Sequence, residues 1–376
     1  MTIRLIDNSQ EQPAKTLFFA ASFENLTTTS GHPFLRDYRA TPLRQFSGPL
    51  KGWSATAGLA YDRRMPINQT PRFRYRLGLN QPAASPTVKR LTEMARAIGE
   101  ETGGKLLVEV FPESRLGPDP KMFADMRSGA LEFFMAGATL GEVAPTSALP
   151  LLPFAFRDST AVFAALDGAL GDRIRGELAD NGIHAFRNCL QNGFHHLTTS
   201  TRPVYTAADL AGLKIRSPGG AIARDFFGAF GAAAGYVPFS EMYGALQARN
   251  FDGQSDPLGV VLSLRLYEVQ SHLSLTAHWW SGFTLLANRA AWGALPRKIQ
   301  EVVARNAEKY ALLQRDDIEQ VNAAGAEELA RRGMQVNTAD TDTFRAGLAE
   351  FYARWRERAG VATWRLLESY AGDIGG

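Results

Sequence analysis

Regular alternation of apolar and polar residues begins at Phe73. Phe73, Tyr75, Leu77 and Leu79 are separated by Arg74, Arg76 and Gly78, a period-2 pattern that predicts a strand ended by Asn80-Gln81-Pro82. Val88, Leu91, Met94, Ala95 and Ile98 then recur at helical spacing, and Gly103-Gly104 stops the helix. Leu106 to Phe111 reads as a second strand. A strand, a helix and a strand in about 40 residues make a βαβ unit, which implies a parallel sheet covered by helices. Leu131 to Ala136, nearly all apolar, suits a buried central strand of that sheet.

The alternation continues. Phe163 to Leu178 has one helical period and Ile183 to Leu190 suits a strand. Thr206 to Asp209 resembles a capping segment. Leu213 to Arg216 is a short strand stopped by Ser217-Pro218-Gly219-Gly220. A helix over Ile222 to Phe230 ends at Gly231, a shorter one covers Glu241 to Ala248, and Asp252-Gly253 is a turn. From Pro296 to Arg332 a single helix is predicted, with Ile299, Val303, Tyr310 and Ile318 on its apolar side. At ~1.5 Å per residue it spans about 50 Å, more than one domain's width, so it should brace two domains. The length of 376 residues fits two domains, and the fold class is α/β.

Residues 1–72 carry no sustained period and read as a poorly ordered or peripheral N-terminal extension. Lys15 followed by Leu17 to Phe23 is too short and badly placed for an export signal, and Arg63-Arg64 lacks the apolar run a twin-arginine signal needs. Composition changes the picture only by exclusion. Apolar residues are 45% and charged residues 21%, and apolar runs fall short of the ~18 residues of a membrane-spanning helix. The 41 basic and 38 acidic residues are scattered, which argues against a nucleic-acid partner. Cys189 is the only cysteine, so an intramolecular disulfide is impossible, and its surroundings suggest a buried hydrophobe.

No phosphate-loop, nucleophile-elbow or His-Glu-x-x-His motif occurs, and the glycine run Gly228 to Gly235 follows a helix where a dinucleotide loop would open one. No cofactor is expected. His195 and His196 are adjacent and point to opposite faces of a strand, so together they cannot chelate one metal. One of them with Asp252, Asp256 or His278 is an alternative metal site. Arg216 ends an apolar strand before a Pro-Gly-Gly turn, where open α/β sheets bind ligands, and its planar fork suits a carboxylate. Asp256, within Asp252-Gly-Gln-Ser-Asp-Pro257, reads on its own as a turn residue.

The ordered set Leu213-Lys-Ile-Arg-Ser-Pro218, Pro238-Phe-Ser-Glu-Met-Tyr-Gly-Ala-Leu-Gln247, Asp252-Gly-Gln-Ser-Asp-Pro257, Tyr267-Glu-Val-Gln270 and Leu275-Thr-Ala-His278 resembles the solute-binding proteins of tripartite ATP-independent periplasmic (TRAP) transporters, dicarboxylate-binding type. Upstream, Thr102-Gly-Gly-Lys105, Phe111-Pro-x-x-x-Leu-Gly117, Pro153-Phe-Ala-Phe156 and Leu166-Asp-Gly168 fit the same pattern. The resemblance implies a two-lobe binding-protein fold with crossing strands and a long bridging helix, residues 73–193 with 282–321 in one lobe and 194–281 with 322–376 in the other. It implies a periplasmic location, no catalysis, a small organic acid as ligand, TRAP permease subunits as partners, and a monomer or homodimer.

Residue by residue, the resemblance makes Arg216 the carboxylate grip and Phe239 the aromatic packed on the ligand. It places Asp256 where many relatives carry asparagine. Asn80, Gln81, Gly137 and Thr139 match loops facing the cleft, and Trp279 is a candidate wall. His195-His196 stands where many relatives place a second arginine. A carboxylate at Asp256 would repel a ligand acid beside it unless the ligand offers a donor there. The expectation is therefore a monocarboxylate with a hydrogen-bond donor, such as a hydroxy acid. The competing readings are a metal-assisted enzyme using His195 or His196 and Asp256, and a family member that has lost ligand binding.

Overall fold

The computed structural model describes residues 70–375 except Ala138, Thr139, Glu142 and Gly219, all within one compact unit, Ile67–Gly376. The expected N-terminal extension, with its candidate export signals, lies almost wholly outside the described residues. Among the described residues, eleven strands form one sheet: β1 Phe73–Gly78, β2 Leu106–Phe111, β3 Phe133–Ala136, β4 Ile183–Ala185, β5 Leu190–Thr199, β6 Lys214–Arg216, β7 Ala233–Gly235, β8 Gly253–Pro257, β9 His272–Leu275, β10 Trp280–Asn288 and β11 Gln335–Thr338. The main path runs β2-β1-β3-β10-β5-β8-β6-β7.

The predicted βαβ unit is present. β1 and β2 pair in parallel on either side of the helix Pro86–Glu101, whose first turn is fixed by the Ser85 hydroxyl accepting from the Val88 amide and by Pro86. β3 adds in parallel to β1, and all four of its residues are buried. The other half is built the same way, with β7, β6 and β8 parallel. Between the halves run two long antiparallel strands. β10 pairs with β3 toward one half and β5 toward the other, and β5 continues onto β8 and β9. Neither long strand is legible as such from the periodicity, because Gly193 and Gly282 interrupt it at the crossing.

The long helix, Arg297–Arg331, packs Ile299, Val303, Ala307 and Tyr310 into a core shared with β1 and the helix Pro86–Glu101. Near its other end Leu329 enters a separate core with Leu246, Val261 and Leu273. Its middle is pinned to β5. The Gln314 side chain accepts from the Gln191 amide and donates to the Gln191 carbonyl, while Asn322 Nδ2 donates to the Asn192 carbonyl. Arg315 holds Asp167 with two hydrogen bonds of 2.7 and 2.8 Å and stacks on Phe163.

Two local expectations are corrected. The helix read over Phe163 to Leu178 is two helices, Ser159–Asp167 and Ala169–Asp180. Gly168 between them is extended, and a Cβ there would lie 2.6 Å from both the Ala164 carbonyl oxygen and the Tyr370 hydroxyl. Asp256 is a buried strand residue, because the polar run from Gly253 to Pro257 forms β8. β5 pairs with it along its whole length, and β6 pairs with Gly253 and Gln254 on the other side.

Candidate functional site

Arg216 occupies the last position of β6, held by fully buried Ile215. Its strand partner is Gln254, so Asp256, two residues further along β8, shares its face. Arg216 Nη1 donates to Asp256 Oδ2 at 2.7 Å, and Nη2 donates to the Val237 carbonyl at 3.3 Å. The two side chains are only 2% and 4% exposed. Arg216 Nε and the hydroxyl of Ser217 are buried without a partner. Loss of water pushes the Asp256 carboxyl up to about 6, against the opposing pull of the Arg216 charge and hydrogen bond.

This pair lies on the wall of a cavity of about 1060 Å³. The cavity brings together Arg216, Asp256, Phe239, Asn80, Gln81, Gly137 and Trp279 from six separate stretches of sequence. Thr139 lies outside the described residues. Phe239 opens a short 3-10 turn, half-buried. Trp279 is 3% exposed and packs edge-on against Phe226 and Phe227, so it is wall and core together. Trp280 also lines the cavity and its indole N–H has no partner.

A residue not picked out in the sequence completes the polar face. Asp119 is the first residue of the helix Asp119–Ser128, where a carboxylate is favoured by the helix dipole. Asn80 Nδ2 donates to its Oδ2 at 2.7 Å, and Gln81 Nε2 donates to Asn80 Oδ1 at 3.1 Å. Asp119 Oδ1 is buried without a partner. Burial pushes this carboxyl up to about 6, with the Asn80 hydrogen bond and the nearby Arg216 charge pulling the other way. The sequence signal available was an acidic residue in the first turn after Leu116-Gly117, which on its own reads as a helix start.

The histidine pair does not join this face. Adjacent positions on β5 send the two rings to different places. His195 is fully buried; its Nδ1 lies 3.0 Å from the Ser255 carbonyl, to which it donates, and Nε2 accepts from the Ser281 hydroxyl at 2.7 Å. His278 is likewise fully buried between the hydroxyls of Ser255 and Thr276. Desolvation pushes His195 down to about 3 and His278 well below the usual range, so both rings are neutral. His196 lines a different cavity, of about 390 Å³, and its Nδ1 accepts from the Thr276 and Ala277 amides. The expectation that either histidine replaces a ligand-gripping arginine beside Arg216 is therefore corrected: one is a satisfied core residue and the other faces away.

The alternative metal site finds no support in the geometry. Among the described residues, no three His, Cys, Asp or Glu side chains gather closely enough to hold an ion. Asp252 accepts from the Lys214 amide and organises the strand start. Cys189 is buried, accepts from Arg315 at 3.4 Å, and its thiol is pushed up to about 11, as suits a core residue.

The sequence profile of the family described as "Bacterial extracellular solute-binding protein, family 7" matches residues 77–358. A solute-binding protein of Verminephrobacter eiseniae is 31% identical over 277 residues, 73% of this chain and 82% of the relative. The 2,3-diketo-L-gulonate-binding periplasmic protein YiaO of Escherichia coli is 35% identical over 57% of this chain and 66% of its own length. The crystal structure of a TRAP periplasmic solute-binding protein from Polaromonas sp. JS666, bound to D-erythronate, superposes with a TM-score of 0.76. It is 28% identical, and the match covers 80% of this chain and 98% of that one. An α/β architecture split by two crossing strands and spanned by one long helix, with a buried arginine at the cavity between, is thus accounted for by common descent: the chain belongs to family 7 of the bacterial extracellular solute-binding proteins, which bind solutes and are not enzymes.

Proposed function

We propose that this protein captures a small hydroxylated monocarboxylate outside the cytoplasmic membrane, in the periplasm, and delivers it to a TRAP-type membrane permease. The observation that carries this reading is the buried Arg216, whose Nε and neighbouring Ser217 hydroxyl are unpartnered donors on a cavity wall. A carboxylate satisfies such donors with charge-assisted hydrogen bonds, and the dry setting strengthens them. Phe239 supplies an apolar surface for the ligand body, and Trp280 a further donor.

Asp256 limits what else the ligand carries. It already accepts from Arg216, so a second acid group on the ligand would meet a carboxylate, whereas a hydroxyl would donate to it. The relatives support an organic acid: YiaO is named for 2,3-diketo-L-gulonate, and the Polaromonas protein holds D-erythronate. In this reading residues 73–193 with 282–321 form one lobe and 194–281 with 322–376 the other, and they close over the ligand about β5, β10 and the long helix.

A thermal-shift screen of the full chain against hydroxy acids, sugar acids, dicarboxylates and amino acids tests it. A ligand at 100 times its Kd adds about 2.7 kcal/mol, a shift of a few degrees in Tm. Hydroxylated monocarboxylates are expected to give the largest shifts, and Asp256→Asn to admit dicarboxylates. A wild-type preference for dicarboxylates contradicts the reading. Unchanged selectivity in Asp256→Asn removes Asp256 as the selector.

A further inference from the structure

The cavity of about 390 Å³ is separate from the cleft and lies on the other side of β5. The register of β5 against β10 shifts beside Gly193, so Asn192 lines the larger cavity while Gln191, Phe194 and His196 line the smaller. The long helix contributes Glu319 to it, and the helix Thr341–Ala346 contributes Arg345. Its volume falls within the ~300–1,000 Å³ of small-molecule sites, which combine an apolar lining with a few polar groups. Phe154, Phe156, Phe194 and Leu258 supply the apolar lining here.

The polar groups have unused capacity of both signs. His196 Nδ1 accepts from the Thr276 and Ala277 amides, so the ring proton sits on Nε2, which has no acceptor among the described residues. Arg345 lies over the Phe154 ring at 4.6 Å and forms no ion pair among the described residues. Arg157, the other cation of the lining, is tied to Asp158 at 3.0 Å. On the acidic side, Glu319 Oε2 accepts from Gln191 Nε2 at 2.7 Å and from the Ser159 hydroxyl at 3.3 Å, and it too has no cationic partner among the described residues. The Gln191 side chain is 2% exposed, and its Oε1 is buried without a donor. Arg345 and Glu319 thus share one cavity without reaching each other. A ligand carrying only a carboxylate would meet Glu319, and one carrying only an ammonium would meet Arg345. A molecule bearing both charges matches both ends.

We propose that this second cavity binds a zwitterion with an apolar body, of the class of the branched aliphatic α-amino acids. The ligand's carboxylate accepts from Arg345 and from His196 Nε2. Its ammonium donates to Glu319 and to the bare oxygen of the Gln191 carboxamide, and its side chain lies against Phe194 and Leu258. Neither Arg345 nor Glu319 lines the cleft, so the inference stands apart from carboxylate capture at Arg216.

The test is calorimetric titration of the full-length protein with L-leucine, with 4-methylpentanoate, which lacks the ammonium, and with 3-methylbutylamine, which lacks the carboxylate. Leucine is expected to bind one-to-one, and each analogue about 10-fold or more weakly than leucine. Arg345→Met keeps a stem over Phe154, and Glu319→Gln keeps an acceptor for Gln191; unliganded melting curves check that both fold. Each should weaken leucine by about 10-fold. Arg345→Met should also lose the preference for leucine over 3-methylbutylamine, and Glu319→Gln the preference over 4-methylpentanoate, a division that a merely structural role would not produce. Arg216→Lys, on the other side of β5, should leave leucine affinity within about 3-fold. No leucine binding to wild type, or equal binding of all three compounds, overturns the proposal. Leucine binding that is lost in Arg216→Lys and kept in Arg345→Met and Glu319→Gln places the amino acid in the cleft and overturns it too. The screen against organic acids tests carboxylate capture separately.

Discussion

Arg216 and Asp256 are buried as a pair, and their energetics follow from that. Taking one charge away strands the other in the interior, which typically costs about 3–5 kcal/mol, whereas replacing both by apolar residues of similar size is often neutral or stabilising. Urea unfolding of Arg216→Ala should therefore show a loss of that order, and the double change Arg216→Met with Asp256→Leu a much smaller one. Equal losses would mean that the pair itself stabilises the fold. The residue scale is also where the sequence reads unevenly. Arg216, Asp256 and Phe239 sit in local motifs, so position and resemblance together found them. Asp119 has no such motif: its role depends on Asn80, 39 residues away, and on an oxygen left bare by burial. His195 and His196 looked alike in the sequence, and only the strand's alternation, carried into three dimensions, separates a core ring from an outward one.

At the scale of elements, the crossing of β5 and β10 is the least tolerant place in the fold. Gly193 has a φ of 120° in the middle of β5, and Gly282 follows a shift of register in β10. A Cβ on Gly282 would lie 2.5 Å from the Leu190 carbonyl oxygen and 2.1 Å from the Trp280 ring. Backbone cannot yield as a side-chain tip can, so Gly282→Ala is expected to cost about 2 kcal/mol or more in chemical denaturation and to disturb Trp280 on the cavity wall. A change below ~0.5 kcal/mol, the size of an ordinary surface substitution, would show that the crossing is not strained by a methyl group. Strongly periodic elements were legible: β1, β2, the helix between them and the long helix Arg297–Arg331 all follow the sequence pattern. The crossing strands were not, because glycine and polar residues break their alternation where the two halves of the sheet meet. Gly168 hid a helix break for the opposite reason, since the apolar period runs on through it.

For the whole molecule, pH acts through its buried rings. His184 and His196 are pushed down to about 4, His195 to about 3, and His278 well below its usual range, each chiefly by desolvation. These groups stay neutral in the fold but take up protons in the unfolded chain below about 6.5, so stability falls as pH drops through that value. Asp119 and Asp256 work in the other direction. Their folded pKa values lie above the unfolded one, so they hold protons in the fold that the unfolded chain releases, and their contribution fades as pH rises toward 6. Among the described residues four depressed histidines outweigh two raised aspartates, so unfolding takes up protons near pH 5. Melting temperature should therefore decline from pH 7 to pH 5; a flat or rising profile would mean the rings are not held neutral.

Arg216 is the buried cation of the cavity, its Nε is unpartnered, and the ligand's acid group is assigned to it. The most direct measurement is a calorimetric titration of wild type and Arg216→Lys with the organic acid that gives the largest thermal shift. A lysine keeps the charge but loses the planar fork with its parallel pair of donors. Capture of the acid group by Arg216 predicts tight one-to-one binding to wild type and a loss of about 100-fold or more in the variant. Affinity that is unchanged in Arg216→Lys and persists in Arg216→Ala would contradict it, and would place the acid-binding group elsewhere on the cavity wall.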